Sequence, residues 1–191
     1  MNALSVLLWI GCQPSVEENL VEEEGLLFTE IAADGVSVSS VEPARYLGLW
    51  YEIASTPSSQ QSSCTGTTAN YSLIDSTQIE VVNRCWLQSL DGPMNMIQGT
   101  ATFIDDTYAR LLVDFDLGFR APYNIVELDG STSDSPYQFA AVASFGTLWI
   151  LSRTPDLSDE VASELLERLE DRDYPVERLL WTEHPEDSST P

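Results

Sequence analysis

Residues 45–54 read RYLGLWYEIA, a run of aromatic and branched side chains that favours a β-strand. Runs rich in Val, Ile, Thr and Tyr follow at short intervals, separated by turn residues. We predict strands at residues 48–56, 66–74, 78–86, 96–104, 108–116, 122–129, 137–144 and 147–153. Eight strands at this spacing predict an all-β fold, an eight-stranded up-and-down antiparallel β-barrel that is wide enough for one small ligand.

One amphipathic helix follows the last predicted strand. Ser158 can cap its first turn, and the two acidic residues after it suit the positive end of the helix dipole. The helix has a single apolar stripe, made of Val161, Ala162, Leu165, Leu166 and Leu169. We expect this C-terminal α-helix to pack against the outside of the barrel.

Trp50 and Arg153 form a candidate structural pair. The indole of Trp50 is large enough to plug the closed end of a barrel. The guanidinium of Arg153 can lie on that indole face, and its remaining donors can satisfy free carbonyls nearby. We therefore assign both residues to the fold and not to catalysis.

Four sequence blocks are similar to the signatures of one family. They lie at residues 45–54, 68–73, 81–85 and 148–155. The first contains a G-x-W motif, and the last ends the final barrel strand. In this order the blocks resemble those of the lipocalins, and above all the bacterial lipocalins of the Blc type, which are similar to apolipoprotein D.

The resemblance implies a structural role for Gly48, Trp50 and Arg153. It also implies a non-catalytic protein that binds or transports fatty acids or lysophospholipids in the cell envelope. The second family signature would fall between Asp129 and Tyr137, where a longer GSTSDSP segment intervenes. The connection between the sixth and seventh strands therefore departs from the family pattern.

The N-terminus is similar to a bacterial lipoprotein signal. Residues 3–10 read ALSVLLWI and precede Gly11 and Cys12. The resemblance implies a signal peptide at 1–11, acyl chains on Cys12, and an outer-membrane, periplasm-facing location, because Gln13 replaces the Asp of inner-membrane retention. An ordinary signal peptide and a chance apolar start are the alternatives.

We divide the remaining chain into an acidic flexible tether at 12–40, a lipocalin domain at 41–184 and a tail at 185–191.

If Cys12 is acylated, Cys64 and Cys85 remain as a pair. They lie at similar distances on either side of the turn at Asp75 and Ser76, so an antiparallel hairpin brings them close together. We predict a disulfide bond, and two buried free thiols are the alternative.

The alternation of strand residues predicts the ligand-binding wall. The inward set is Glu52, Ala54, Thr67, Ala69, Tyr71, Asn83, Leu111, Val113, Phe115, Trp149 and Leu151. Glu52 and Asn83 are its polar members. Each either contacts a ligand head group or is solvated by water in a wet cavity, and a single β-bulge would invert these assignments.

Composition excludes several functions. The net charge is −23, with 31 acidic residues against 8 arginines and no lysine, which argues against nucleic acid as a partner. The only histidine, His184, follows the last apolar segment, and no His and Cys cluster has metal-ligand spacing. We predict no catalytic residue, metal or cofactor, and a monomer or weak homodimer that binds a small hydrophobic ligand and a membrane through its acyl chains. A lipocalin-fold enzyme acting on a lipid or isoprenoid and a structural envelope lipoprotein are the alternatives.

Overall fold

The computed structural model describes residues 37–57, 63–131 and 134–185. The predicted signal, acyl site and most of the tether lie outside these residues, as does most of the tail. Nine strands and two α-helices occur in the described chain. In order they are α1 (Pro43–Tyr46), β1 (Gly48–Ser55), β2 (Cys64–Leu73), β3 (Gln78–Leu87), β4 (Met94–Phe103), β5 (Arg110–Asp114), β6 (Arg120–Leu128), β7 (Phe139–Ser144), β8 (Thr147–Ser152), α2 (Asp159–Glu170) and β9 (Leu180–Trp181), with a 3-10 turn at Val176–Arg178 before β9.

The strands form a closed antiparallel barrel. Each strand from β2 to β7 pairs with the next one along the chain, β8 pairs with β1, and β1 pairs with β2. The pairing of β1 with β2 joins Gly48 to Tyr71 and Tyr51 to Thr68. This confirms the predicted up-and-down barrel of eight strands.

The ninth strand was not predicted. Leu180 pairs with Ser55, and Trp181 pairs with Ala54. Beyond it, Thr182 donates its backbone N–H to the carbonyl of Ile53 at 2.9 Å, and Gly66 donates to the carbonyl of Glu183 at 2.9 Å. The C-terminal segment therefore bonds both β1 and β2 where their direct pairing has stopped.

Two apolar cores lie on opposite faces of the barrel wall. The inner core fills the barrel and includes Trp50, Tyr71 and Leu111. The outer core lies between the wall and α2 and includes Ile150, Leu165 and Leu169. Strand residues alternate between these cores because successive side chains point to opposite faces.

Helix α2 is held on the wall as its apolar stripe predicts. Ser158 caps it by accepting a hydrogen bond from the N–H of Val161. Near its C-terminal end, Arg168 and Arg172 both pair with Glu127 on β6, at 3.2 and 2.8 Å. No helix in the described part of the chain is long and apolar enough to span a membrane.

The chain before β1 crosses the closed end of the barrel. Val38 donates to the carbonyl of Ile125, and Val41 donates to that of Thr107. Arg45 then holds the long connection between β6 and β7, because its guanidinium donates to the carbonyls of Ser131 and Ser135 at 2.9 and 2.7 Å. Ser131 and Ser135, in the segment that departs from the family pattern, are thus bonded to the base of the barrel.

Candidate functional site

The candidate site is the interior of the barrel. Its wall is apolar and aromatic, and the cavity has a volume of about 10 Å³, which is roughly the space that one water molecule needs. The lining residues are Val41, Pro43, Tyr46, Leu47, Tyr71, Ile79, Val81, Ala101, Phe103, Tyr108, Leu111, Val113, Tyr123 and Ile125. Most of the barrel is therefore filled by its own side chains in this conformation.

Three tyrosines place a chain of hydroxyls on the wall of this cavity. Tyr123 lies at its centre, 2.8 Å from the hydroxyl of Tyr46 and 2.8 Å from that of Tyr71. They come from α1, β2 and β6, so only the closed barrel brings them together. The rings of Tyr46 and Tyr71 also pack against each other, with centroids 5.6 Å apart.

Burial keeps these phenols protonated. It raises the pKa of Tyr71 to about 12 and the pKa values of Tyr46 and Tyr123 well above the ordinary value, because a phenolate would lose its hydration. The positive charge of Arg153 lowers the pKa values of Tyr46 and Tyr71, but less than burial raises them. The polar part of the cavity wall is therefore uncharged.

Trp50 and Arg153 close the base as their residue types predict. The guanidinium carbon of Arg153 lies 3.8 Å from the centre of the Trp50 ring. Its nitrogens donate to five backbone carbonyls, those of Arg45, Tyr46, Leu47, Leu49 and Tyr137. The indole N–H of Trp50 donates to the carbonyl of Tyr46 at 2.8 Å. Burial lowers the pKa of Arg153 to about 10, which leaves the guanidinium charged at neutral pH.

Several predicted contact residues lie on the inner face. Those that line the cavity are Tyr71, Leu111 and Val113. Those that belong to or pack against the inner core elsewhere are Ala69, Phe115, Trp149 and Leu151.

Phe115 covers Gly99, where a Cβ would lie 2.6 Å from the Phe115 ring and 2.3 Å from the carbonyl oxygen of Asp114. Glycine at 99 thus leaves room for an aromatic ring inside the barrel.

Ala54 does not face the interior. It is fully buried in the outer core, because the pairing of β1 with β8 shifts between Glu52 and Ala54, so that Glu52 pairs with Leu151 and Ala54 with Ile150. This β-bulge reverses the alternation beyond Glu52. The predicted orientation of Ala54 was wrong for that reason.

The other polar candidates have different surroundings. The carboxylate of Glu52 accepts hydrogen bonds from Ser55 at 3.1 Å and from Thr182 at 2.9 Å, so it bonds the C-terminal segment. Thr67 is buried beside a shift in the pairing of β2 with β3 and does not line the cavity. Asn83 lies opposite the inner residue Ala69, and its side-chain oxygen is buried without a hydrogen-bond partner.

The predicted disulfide bond is present. Cys64 and Cys85 are joined between β2 and β3, with their Cα atoms 5.4 Å apart. His184 lies outside the inner core, where its Nε2 is 2.8 Å from the carbonyl oxygen of Glu52. Within residues 37–57, 63–131 and 134–185, no three His, Cys, Asp or Glu side chains form a group that could hold a metal ion.

Tyr46 and Tyr123 are site residues that were not predicted. The inward direction of Tyr123 could have been predicted, because Tyr123 pairs directly with the predicted inward residue Leu111. The direction of Tyr46 could not, because Tyr46 lies in a helical turn before β1, where strand alternation does not apply.

The closed barrel, its base plug and its apolar interior define a lipocalin-type binding protein. The family description "Lipocalin-like domain" matches residues 41–184. The chain belongs to the lipocalin family.

Relatives and solved structures agree with this assignment. A lipocalin of Acanthamoeba polyphaga mimivirus is 36% identical over 156 residues, covering 77% of this chain and 87% of the relative. The outer membrane lipoprotein Blc of Escherichia coli (strain K12) is 34% identical over 151 residues, covering 78% and 82%. Lobster apocrustacyanin A1 superposes with a TM-score of 0.62 at 22% identity, covering 88% of each chain, and so supports the fold. The similarity to Blc confirms the branch predicted from the sequence blocks.

Proposed function

We propose that the barrel is a non-catalytic carrier that binds one slender apolar molecule, with fatty acids and lysophospholipids as the first candidates. The observation that carries the proposal is a cavity inside the barrel whose wall is apolar except for uncharged tyrosine hydroxyls. Ligand cavities generally combine such a wall with a few polar groups. Tyr71, Leu111 and Val113 are the proposed wall contacts among the predicted residues.

Binding requires the interior to open. A ligand larger than a water exceeds the space that the cavity offers. The aromatic side chains that are only partly buried against the inner core, including Phe103, Tyr108, Phe115 and Trp149, are the groups whose rotation would make room. Trp149 then supplies a fluorescence signal for entry.

The small cavity also favours a second candidate, a structural lipoprotein with a permanently filled barrel. Titration with hexadecanoic acid and with lysophosphatidylcholine, followed by tryptophan fluorescence and native mass spectrometry, separates the two. If the protein is a carrier, the wild type takes up one lipid per chain. A filled barrel takes up none until space is created, for which Leu111→Ala is the matched variant because Leu111 lines the cavity.

Leu165→Ala is the control for this experiment. It removes the same atoms from the outer core and should leave lipid uptake unchanged. Uptake by Leu111→Ala but not by the wild type would reject the carrier. Equal gain of uptake in both variants would show that loosened packing, and not the cavity, admits the lipid.

We further propose that Cys12 is acylated and holds a monomer or weak homodimer on the outer membrane, facing the periplasm. The Cys12 motif supports this proposal, as does the relative described as an outer membrane lipoprotein. Metabolic labelling with a tagged fatty acid should mark the wild type and not Cys12→Ala. Equal labelling of the two chains would reject the anchor.

A further inference from the structure

The tyrosine chain inside the barrel has an unused hydrogen-bonding capacity. Three hydroxyls carry three protons, and the two hydrogen bonds among Tyr46, Tyr123 and Tyr71 use two of them. One proton and several oxygen lone pairs therefore remain beside the cavity that all three residues line. A purely apolar ligand would leave them unsatisfied, which is costly in a buried site.

No Lys, Arg or His is among the described residues that line the cavity. Arg153 lies behind Trp50 at the base, and its guanidinium donates to five backbone carbonyls. Its charge acts on Tyr46 and Tyr71 but lowers their pKa values less than burial raises them. A desolvated carboxylate among the tyrosines would therefore have no direct ion-pair partner, and burying it would be costly.

We propose that the hydroxyl chain of Tyr46, Tyr123 and Tyr71 is the binding site for the polar end of the ligand, and that this end is an uncharged group with an O–H, either an alcohol or the protonated carboxyl of a fatty acid. A hydroxyl both donates and accepts, so it can accept the free proton of the chain and donate its own proton to one of the remaining phenol lone pairs. This inference rests on the proposed carrier function. It adds the direction in which the molecule enters, with its polar end towards the base.

The test compares three ligands of one chain length. Decan-1-ol donates and accepts a hydrogen bond, decyl methyl ether only accepts, and decanoate at pH 8 is charged. The wild type should bind the alcohol about tenfold more tightly than the ether, the value of one hydrogen bond to a buried group, and should bind decanoate more weakly than the alcohol.

Variants distinguish recognition from a structural role. Tyr123→Phe removes the central hydroxyl, and Tyr71→Phe removes a terminal one and perturbs the fold less. Each should reduce the preference for the alcohol over the ether to about twofold or less while leaving ether binding unchanged. Tyr108→Phe is the control, because Tyr108 lines the same cavity but its hydroxyl is not in the chain.

The outcomes distinguish failure of the hydroxyl site from failure of the proposed carrier function. Equal affinity of the wild type for alcohol and ether, or equal weakening of both by Tyr71→Phe, would overturn the hydroxyl site and leave the carrier intact. Tighter binding of decanoate than of the alcohol would overturn the uncharged class. Failure of all three chains to bind would reject the carrier and the site together.

Discussion

Replacement of Arg153 tests the closure of the barrel base most directly. Arg153→Met removes the guanidinium from Trp50 and one donor from each of five backbone carbonyls. Two of them keep another donor, since the carbonyl of Tyr46 also accepts from the Trp50 indole and that of Arg45 from the Tyr137 N–H. Four of these carbonyls lie 104 to 108 residues away in sequence. The side chain therefore joins the end of β8 to the chain that enters β1.

The size of the effect follows from three contributions. The Nη2 nitrogen has two protons for three carbonyls, so the side chain makes the equivalent of four hydrogen bonds at about 1 kcal/mol each. A cation–π contact adds about 1 to 2 kcal/mol, and the desolvation of a guanidinium that has no carboxylate partner among the described residues opposes these by about 2 to 3 kcal/mol. We expect Arg153→Met to lower the free energy of unfolding by about 2 to 4 kcal/mol. Arg153→Lys keeps the charge but has at most three donors, and should lose about 1 kcal/mol.

Urea unfolding followed by tryptophan fluorescence measures both losses. Arg178→Met is the control, because Arg178 is exposed and should change stability by less than about 0.5 kcal/mol. Equal stability of wild type and Arg153→Lys would refute the stabilisation assigned to the hydrogen bonds between Arg153 and the carbonyls. A loss in Arg153→Met no larger than that in Arg178→Met would refute the closure itself.

Three further measurements test other parts of the fold. Joint replacement of Cys64 and Cys85 by alanine should lower the free energy of unfolding by about 3 kcal/mol, because their bond spans 21 residues; identical denaturation midpoints for oxidised wild type and variant would contradict this. Leu165→Ala should cost about 2 to 4 kcal/mol at the buried face of α2, whereas Glu164→Ala on the exposed face should cost less than about 0.5 kcal/mol; similar losses in thermal unfolding would disprove the packing of α2. Because burial raises the folded-state pKa of Tyr71 to about 12 from 10.0, its protonated form stabilises the fold fully below pH 10 and this stabilisation is lost as the pH rises through about 12; complete ionisation of the tyrosines in the folded protein near pH 10, seen by ultraviolet absorbance, would contradict the burial.

The order of the strands was predictable because each strand carries its own local signal. Alternating β-branched and aromatic residues separated by turn residues gave all eight barrel strands, and the apolar stripe gave α2. Strand β9 has only two residues, Leu180 and Trp181, which are both exposed. Its pairing with β1 depends on tertiary position and not on a local pattern.

The candidate site was less predictable because it depends on register. Alternation placed Tyr71, Leu111 and Val113 correctly on the inner face. Alternation failed at Ala54, because the bulge after Glu52 reverses the side-chain direction. No residue type in that strand predicts the bulge. The hydroxyl chain needed three elements in contact, and no local pattern in the sequence encodes that contact.

The C-terminal segment has a consequence for the order in which the barrel can be completed during synthesis. Direct pairing of β1 with β2 covers only Gly48–Tyr51 and Thr68–Tyr71, and Thr182 and Glu183 supply the next bonds to both strands. A protein is made from its N-terminus, so these bonds form only when almost the whole chain has emerged. A nascent chain that ends before residue 180 would carry every strand of the barrel and still leave its seam incomplete.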